Sequence, residues 1–183
     1  MTDKYKDFYY KHISIPYNKD DLDKFLIKWP LTESRFEKMD VTEVKELLPS
    51  FFEWFSKHDL EVTQIFLINH KPDFKQDIHV DYADVEGPNL AINIPISPLA
   101  ADSTTRVYEF IKGHRVEIRH REDQKVVYSK VNPEHVKRIG EYKSYHPVLL
   151  NIAKPHSAWN NTDYIRGVIT FRFEKDPDIL IEE

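Results

Sequence analysis

Two hydrophobic rhythms divide this chain. In the first, apolar positions recur at helical spacing: Leu22, Phe25, Leu26 and Trp29 follow i, i+3, i+4, i+7 after Asp20-Asp21, and Pro30 stops the run. That pattern predicts a short amphipathic helix. A second helix is expected from Asp40, which with Glu43 has the outline of a capping box, through Val44, Leu47 and Leu48. Pro49 must kink or restart it, because proline removes an interior hydrogen bond. Phe51, Phe52, Trp54 and Phe55 follow as a dense apolar cluster, expected to pack on a sheet as support.

From Leu60 onward the rhythm shortens to extended runs between turn residues. Strands are predicted over 61–69, 77–82, 89–96, 104–111, 115–120, 125–131, 148–152 and 165–173. Gly87-Pro88, Pro95 with Pro98, Asn132-Pro133 and Asn160-Asn161 punctuate them. Their spacing is that of an all-β sandwich or barrel. The polar stretch 132–144 reads as a surface loop with a helical turn, and the acidic end 174–183 as solvated. With no internal repeat or linker, the expectation is a single domain over 1–183, with 1–59 mainly helical support, 60–175 the β core and 176–183 a tail.

Composition narrows the function classes. At 183 residues, 40% hydrophobic and 13% aromatic, the chain is long enough for one substantial core. A formal net charge of −5 gives no general attraction to nucleic acid or anionic lipid. Without cysteine there is no disulfide and no thiolate, so any metal must be held by histidine and carboxylate. Glycine is too scarce for a phosphate-cradling loop. Met1 to Lys11 is charged and lacks an apolar leader core, and no stretch reaches membrane-spanning length, so a cytoplasmic location is expected.

The candidate chemistry lies in Ile78-His79-Val80-Asp81-Tyr82. Val, Ile and Tyr favour an extended segment, whose period of two puts His79 and Asp81 on one face. His156, in Lys154-Pro155-His156-Ser157-Ala158-Trp159, is the best candidate for a second histidine. Two neutral imidazoles and one carboxylate leave positions open on a metal, the arrangement associated with non-haem Fe(II) oxygenases. Arg166 sits in the otherwise apolar run Tyr164 to Thr170. On an edge it would point to solvent or pair with Asp163; facing inward it needs an anion, since an unpaired buried charge costs several kcal/mol, and a dicarboxylic co-substrate supplies one. A tight hairpin through Asn160 to Asp163 is expected to bring His156 and Arg166 to one cavity. Asn93, an amide within an apolar run, is a further candidate for co-substrate or water contact. Arg106 and Tyr108 are weaker candidates for the mouth against a solvated face. Asn151 and Trp159 are expected to buttress His156, while His114, His120, His135 and His146 read as surface or packing residues.

Taken together, His79-x-Asp81, the distant His156 and Arg166 resemble the motif of the Fe(II)- and 2-oxoglutarate-dependent oxygenases in type, order and spacing. The resemblance covers about residues 60 to 175; Asn89 to Ile96 looks like that family's next core strand, and Pro147 to Asn160 like its approach to the distal histidine. It implies a mainly β fold, a double-stranded β-helix (a cupin-like jelly roll) with supporting N-terminal α-helices. It also implies a dioxygenase, an oxidoreductase using Fe(II), 2-oxoglutarate and dioxygen and releasing succinate and carbon dioxide, with hydroxylation of a C–H bond as the default outcome. His79, Asp81 and His156 would hold the metal, and Arg166, with Asn93 nearby, the co-substrate. The stretch from His156 to Arg166 is similar to the aspartyl/asparaginyl β-hydroxylase branch, although members of that branch have His-x-Gly where this chain has His79-x-Asp81. Val168 stands where some other branches carry serine. The partner expected is a small molecule or a protein side chain, with no membrane and no specified oligomeric state. Two other readings are a noncatalytic metal-binding β-barrel and a cupin-like metalloenzyme that does not use 2-oxoglutarate, for which Arg166 would be unnecessary.

Overall fold

The computed structural model describes residues 5–32, 34–81, 88–114 and 129–182. Strand β11 (Arg166–Phe173) is buried along its whole length and organises what surrounds it. One face of its alternation, Ile169, Phe171 and Phe173, joins a core with residues from the helices. The other, Arg166, Val168, Thr170 and Arg172, lines an interior cavity. The period of two thus separates a structural face from a chemical one.

β11 pairs antiparallel with β3 (Val62–His70) and β5 (Leu90–Pro95). The sheet is extended by β9 (Val148–Asn151) and β1 (Tyr10–His12) on one side and by β2 (Arg35–Met39) on the other, giving the order β1-β9-β5-β11-β3-β2. Facing it is a five-stranded sheet, ordered β7-β4-β10-β6-β8, built from β4 (His79–Val80), β6 (Thr104–Phe110), β7 (Ser129–Lys130), β8 (Val136–Lys143) and β10 (His156–Trp159). Two antiparallel sheets enclosing a cavity, with few helices, make this a mainly β, cupin-like jelly roll.

The helices cover the outer face of the larger sheet. In α1 (Lys19–Lys28) the Asn18 side chain accepts the amides of Asp20 and Asp21, and Leu22 and Phe25 are buried. α2 (Val41–Leu47) is capped by Asp40, which accepts the Glu43 amide, while the Glu43 carboxylate pairs with Lys28. Pro49 restarts the helix as the first residue of α3 (Pro49–Lys57). From α3, Phe51 and Phe55 meet Phe171 at ring-centroid distances of 6.2 and 4.9 Å.

Several expectations are corrected. The N-terminal region is not only helical: β1 and β2 form the edges of the larger sheet. The segment 132–144 is a short 3₁₀ turn followed by β8 rather than a loop. Both β2 and β8 are charged and partly exposed, as strands at a sheet edge commonly are, which hides them from a search for apolar runs. The acidic end is solvated only in part: Leu180, in α4 (Ile179–Glu182), is buried, Tyr5 hydrogen-bonds Asp178, and Asp176 accepts the Leu90 amide at 2.8 Å. Nor do β10 and β11 form a hairpin, because they belong to different sheets. The connection between them is held by Asn160, whose amide donates to the carbonyls of His70, Lys71 and Tyr164. The strand expected over 115–120, and 125–128 of the next, lie outside the described residues, as does His120.

Candidate active site

β4 is only two residues long, yet it places His79 directly across from His156 of β10. The two imidazole centroids are 4.3 Å apart. Asp81 follows β4 with its amide donating to the Ile152 carbonyl at 3.0 Å. Its Oδ1 lies 3.3 Å from His79 Nε2 and its Oδ2 4.0 Å from His156 Nε2. One ligand atom from each residue falls within 4.8 Å of the others. The backbone also sets the tautomers. His79 Nδ1 is 2.8 Å from the Asp77 carbonyl and His156 Nδ1 2.9 Å from that of Lys154. A carbonyl only accepts, so each Nδ1 donates and each Nε2 is the ring nitrogen turned toward Asp81.

The electrostatics match this donor set. Burial holds His156 neutral, pushing it down from 6.5 to about 4, with His79 adding to the effect and Asp81 opposing it. Burial disfavours the charged form of Asp81, but Arg172 and the two histidines outweigh it and hold the carboxyl well below the usual range. Arg172 Nη2 donates to Asp81 Oδ2 at 2.5 Å. Two imidazoles and an ionised carboxylate fit a divalent metal such as Fe(II).

Arg166 enters the same cavity from the start of β11 and is 6% exposed. Its guanidinium donates to Ser144 Oγ at 3.4 Å, Thr105 Oγ1 at 3.3 Å and His70 Nδ1 at 3.2 Å. All three partners are neutral: burial, with Arg166 and His79 beside it, pushes His70 down from 6.5 to about 3. Burial lowers Arg166 itself to about 10, which leaves it cationic at neutral pH. Among the described residues this buried cation thus has neutral acceptors as its hydrogen-bond partners and leaves a charge for an anion to answer. Asn93 lines the same cavity, and its side-chain oxygen is buried with no hydrogen-bond partner among the described residues. The cavity holds about 600 Å³.

No family model and no curated protein matches the sequence. Solved structures do. The epimerase SnoN, in complex with Fe3+, alpha ketoglutarate and nogalamycin RO, aligns with a TM-score of 0.60 at 12% identity, over 93% of this chain and 80% of that one. SnoK, a non-heme alpha ketoglutarate dependent carbocyclase from nogalamycin biosynthesis, aligns with a TM-score of 0.54 at 13% identity, over 93% and 81%. The likeness is one of fold. No helix among the described residues is long and apolar enough to cross a membrane.

The remaining sequence candidates lie elsewhere. Arg106 and Tyr108 face outward: Arg106 pairs with Glu141 and covers the Trp159 ring, and Tyr108 meets Ser157. Trp159, held between Arg106 and Lys75, does not buttress His156. Asn151 does not either; its amide donates to the carbonyls of Tyr5 and Phe8 and ties down the N-terminal segment. His114 stacks on His135, and His146 meets His12 edge-on, away from the cavity. Arg172 and His70 were missed. Arg172 carried the same signal as Arg166, a cation on the same alternation of an apolar strand. His70 carried no local signal, because its role comes from Arg166 on the neighbouring strand.

Proposed function

We propose that this chain is an Fe(II)- and 2-oxoglutarate-dependent dioxygenase that hydroxylates an unactivated C–H bond, with release of succinate and carbon dioxide. The observation that carries this reading is Arg166, a buried guanidinium whose hydrogen-bond partners among the described residues are all neutral, in the cavity that also holds His79, Asp81 and His156. A metal-holding barrel, or a cupin-like enzyme without a dicarboxylic co-substrate, has no use for such a charge.

His79, Asp81 and His156 would hold the iron, which with 2-oxoglutarate and dioxygen supplies the oxidising chemistry that side chains lack. The carbonyls of Asp77 and Lys154 keep both Nδ1 protons in place, so each Nε2 is the ring atom that would face the iron. Arg172 occupies one Asp81 oxygen and orients the carboxylate, leaving the other turned to His79. Arg166 would receive the far carboxylate of 2-oxoglutarate in a forked geometry, its plane steadied by Ser144, Thr105 and His70. Asn93 offers its unpartnered oxygen to a water or hydroxyl in the cavity.

Anaerobic titration tests the reading in two stages. The purified protein should bind one Fe(II), and 2-oxoglutarate should then produce a visible metal-to-ligand charge-transfer band. Replacing His79, Asp81 or His156 with Ala should sharply weaken metal binding and abolish succinate release in air. A protein that bound iron but ignored 2-oxoglutarate would be one of the two alternatives instead.

A further inference from the structure

Beyond His79, Asp81 and His156 the cavity opens to a mouth lined in part by Ser34, Arg35, Phe36, Phe66, Phe74 and Lys75. Two segments meet there, tied where Ser34 Oγ accepts the Lys71 amide at 3.1 Å. Three phenyl rings form the apolar wall. Phe36 lies on the edge strand β2, opposite Ile68, which also lines the cavity. It stacks on Phe66 at 5.3 Å with an interplanar angle of 22° and still leaves 58% of its surface exposed. A large ring left open at the entrance of a cavity marks a surface awaiting a flat partner. Phe74 stacks on His70 at 4.4 Å, so this wall reaches inward to the residue that holds Arg166.

Among the described residues, cations outnumber carboxylates at the mouth. Deeper in, Arg172 is met by Asp81, and Arg166 is reserved for the co-substrate. Of the described residues at the mouth, Arg35, Lys75 and Lys130 are cationic and one, Asp77, is a carboxylate, which already pairs with Lys130. Arg35 pairs with Glu37 at 3.4 Å, an exposed contact of little strength in water, and the Lys75 ammonium lies 4.8 Å over the Trp159 ring. A cationic mouth on a chain of net charge −5 concentrates anions where the rest of the surface repels them. The cavity's volume of about 600 Å³ is in the range of small-molecule sites.

We infer that the primary substrate is a small molecule whose flat, apolar ring portion stacks on Phe36, Phe66 and Phe74 and whose anionic group is met by Lys75 and Arg35. This rests on the oxygenase reading, which assigns the Arg166 end of the cavity to the co-substrate. Three shape-matched probes test it: 2-naphthoate, 2-naphthamide and 2-naphthylmethylammonium. Each is titrated by calorimetry into full-length protein loaded anaerobically with Fe(II) and saturated with 2-oxoglutarate, which keeps naphthoate away from Arg166. Naphthoate should bind about tenfold or more tightly than the amide, and the ammonium most weakly. Lys75→Gln should shrink the advantage of naphthoate over the amide, whereas Phe36→Ala should weaken both.

Equal binding of the three probes, preference for the ammonium, or no binding at all would overturn the proposal. So would a naphthoate preference unchanged in both Lys75→Gln and Arg35→Gln. The charge-transfer band, recorded in parallel, separates the two claims. If the band never appears while naphthoate is still preferred, the oxygenase reading fails and an anion-selective aromatic pocket remains. If the band appears without a charge preference, the substrate class fails and the oxygenase reading remains.

Discussion

Arg166 and Arg172 share one face of β11, yet they are answered differently. Arg172 has a carboxylate partner in Asp81, whereas among the described residues Arg166 donates to the neutral groups of Ser144, Thr105 and His70. Arg166→Ala should therefore weaken 2-oxoglutarate binding far more than metal binding. Loss of a buried, forked charge pair costs on the order of 3–5 kcal/mol, or about a hundredfold or more in affinity. Arg166→Lys should recover only part, since an ammonium keeps the charge but not the fork. Titrating 2-oxoglutarate into each anaerobic Fe(II) variant measures both effects. His70 gives a prediction in pH. Its folded-state value is depressed to about 3, mainly by burial, while the unfolded chain protonates it near 6.5. The unfolded state therefore takes up the proton first. The neutral ring costs the fold nothing above pH 6.5, and stability drains away as pH falls from there toward 3. Between pH 6.5 and 4 the metal-free protein should lose on the order of 3 kcal/mol more than His70→Gln does. Denaturant melts at several pH values would show it, and parallel curves for the two proteins would contradict it.

At the scale of elements, β11 must lie close to what covers it. A Cβ built on Gly167 falls 2.7 Å from Leu31 Cδ2 and 3.0 Å from Ile96 Cγ1, so glycine lets Leu31 close down beside Arg166. Gly167→Ala should cost about 1–3 kcal/mol through this overpacking and loosen 2-oxoglutarate binding by moving the strand start. Thermal unfolding with a co-substrate titration checks both, and an unchanged Tm would mean that Leu31 swings aside freely. The connection between β10 and β11 works by a related economy. A single buried amide, Asn160, satisfies three carbonyls and carries the chain from one sheet to the other, so that His156 and Arg166 reach the same cavity from opposite walls.

Over the whole molecule, the N-terminal region is bound in by more than helix packing. It supplies both edge strands of the larger sheet as well as the aromatic cover from α3 over Phe171 and Phe173. Deleting residues 1–58 would strip that cover and expose the unpaired edges of β3 and β9. The remainder should aggregate or fail to fold cooperatively, as judged by size-exclusion chromatography and thermal melts. A soluble, active remainder would show that the 60–175 segment is self-sufficient.

What the sequence determined by itself is what local rhythm can carry. The alternation in 165–173 marked β11 and showed Arg166 as a charge in an apolar strand; the spacing of His79 and Asp81 put both on one face; helical spacing marked α1 and α3. Periodicity reports which side of an element a residue takes, not what that side meets. The tertiary structure alone decided that His79 lies across from His156, that Arg172 answers Asp81 and that neutral groups surround Arg166. It alone decided that β2 brings Phe36 to the mouth and that the acidic tail folds back onto Tyr5 and Leu90. Each of these depends on partners distant in the chain, and a charged edge strand or a buried neutral histidine takes its character from those partners rather than from its neighbours in sequence.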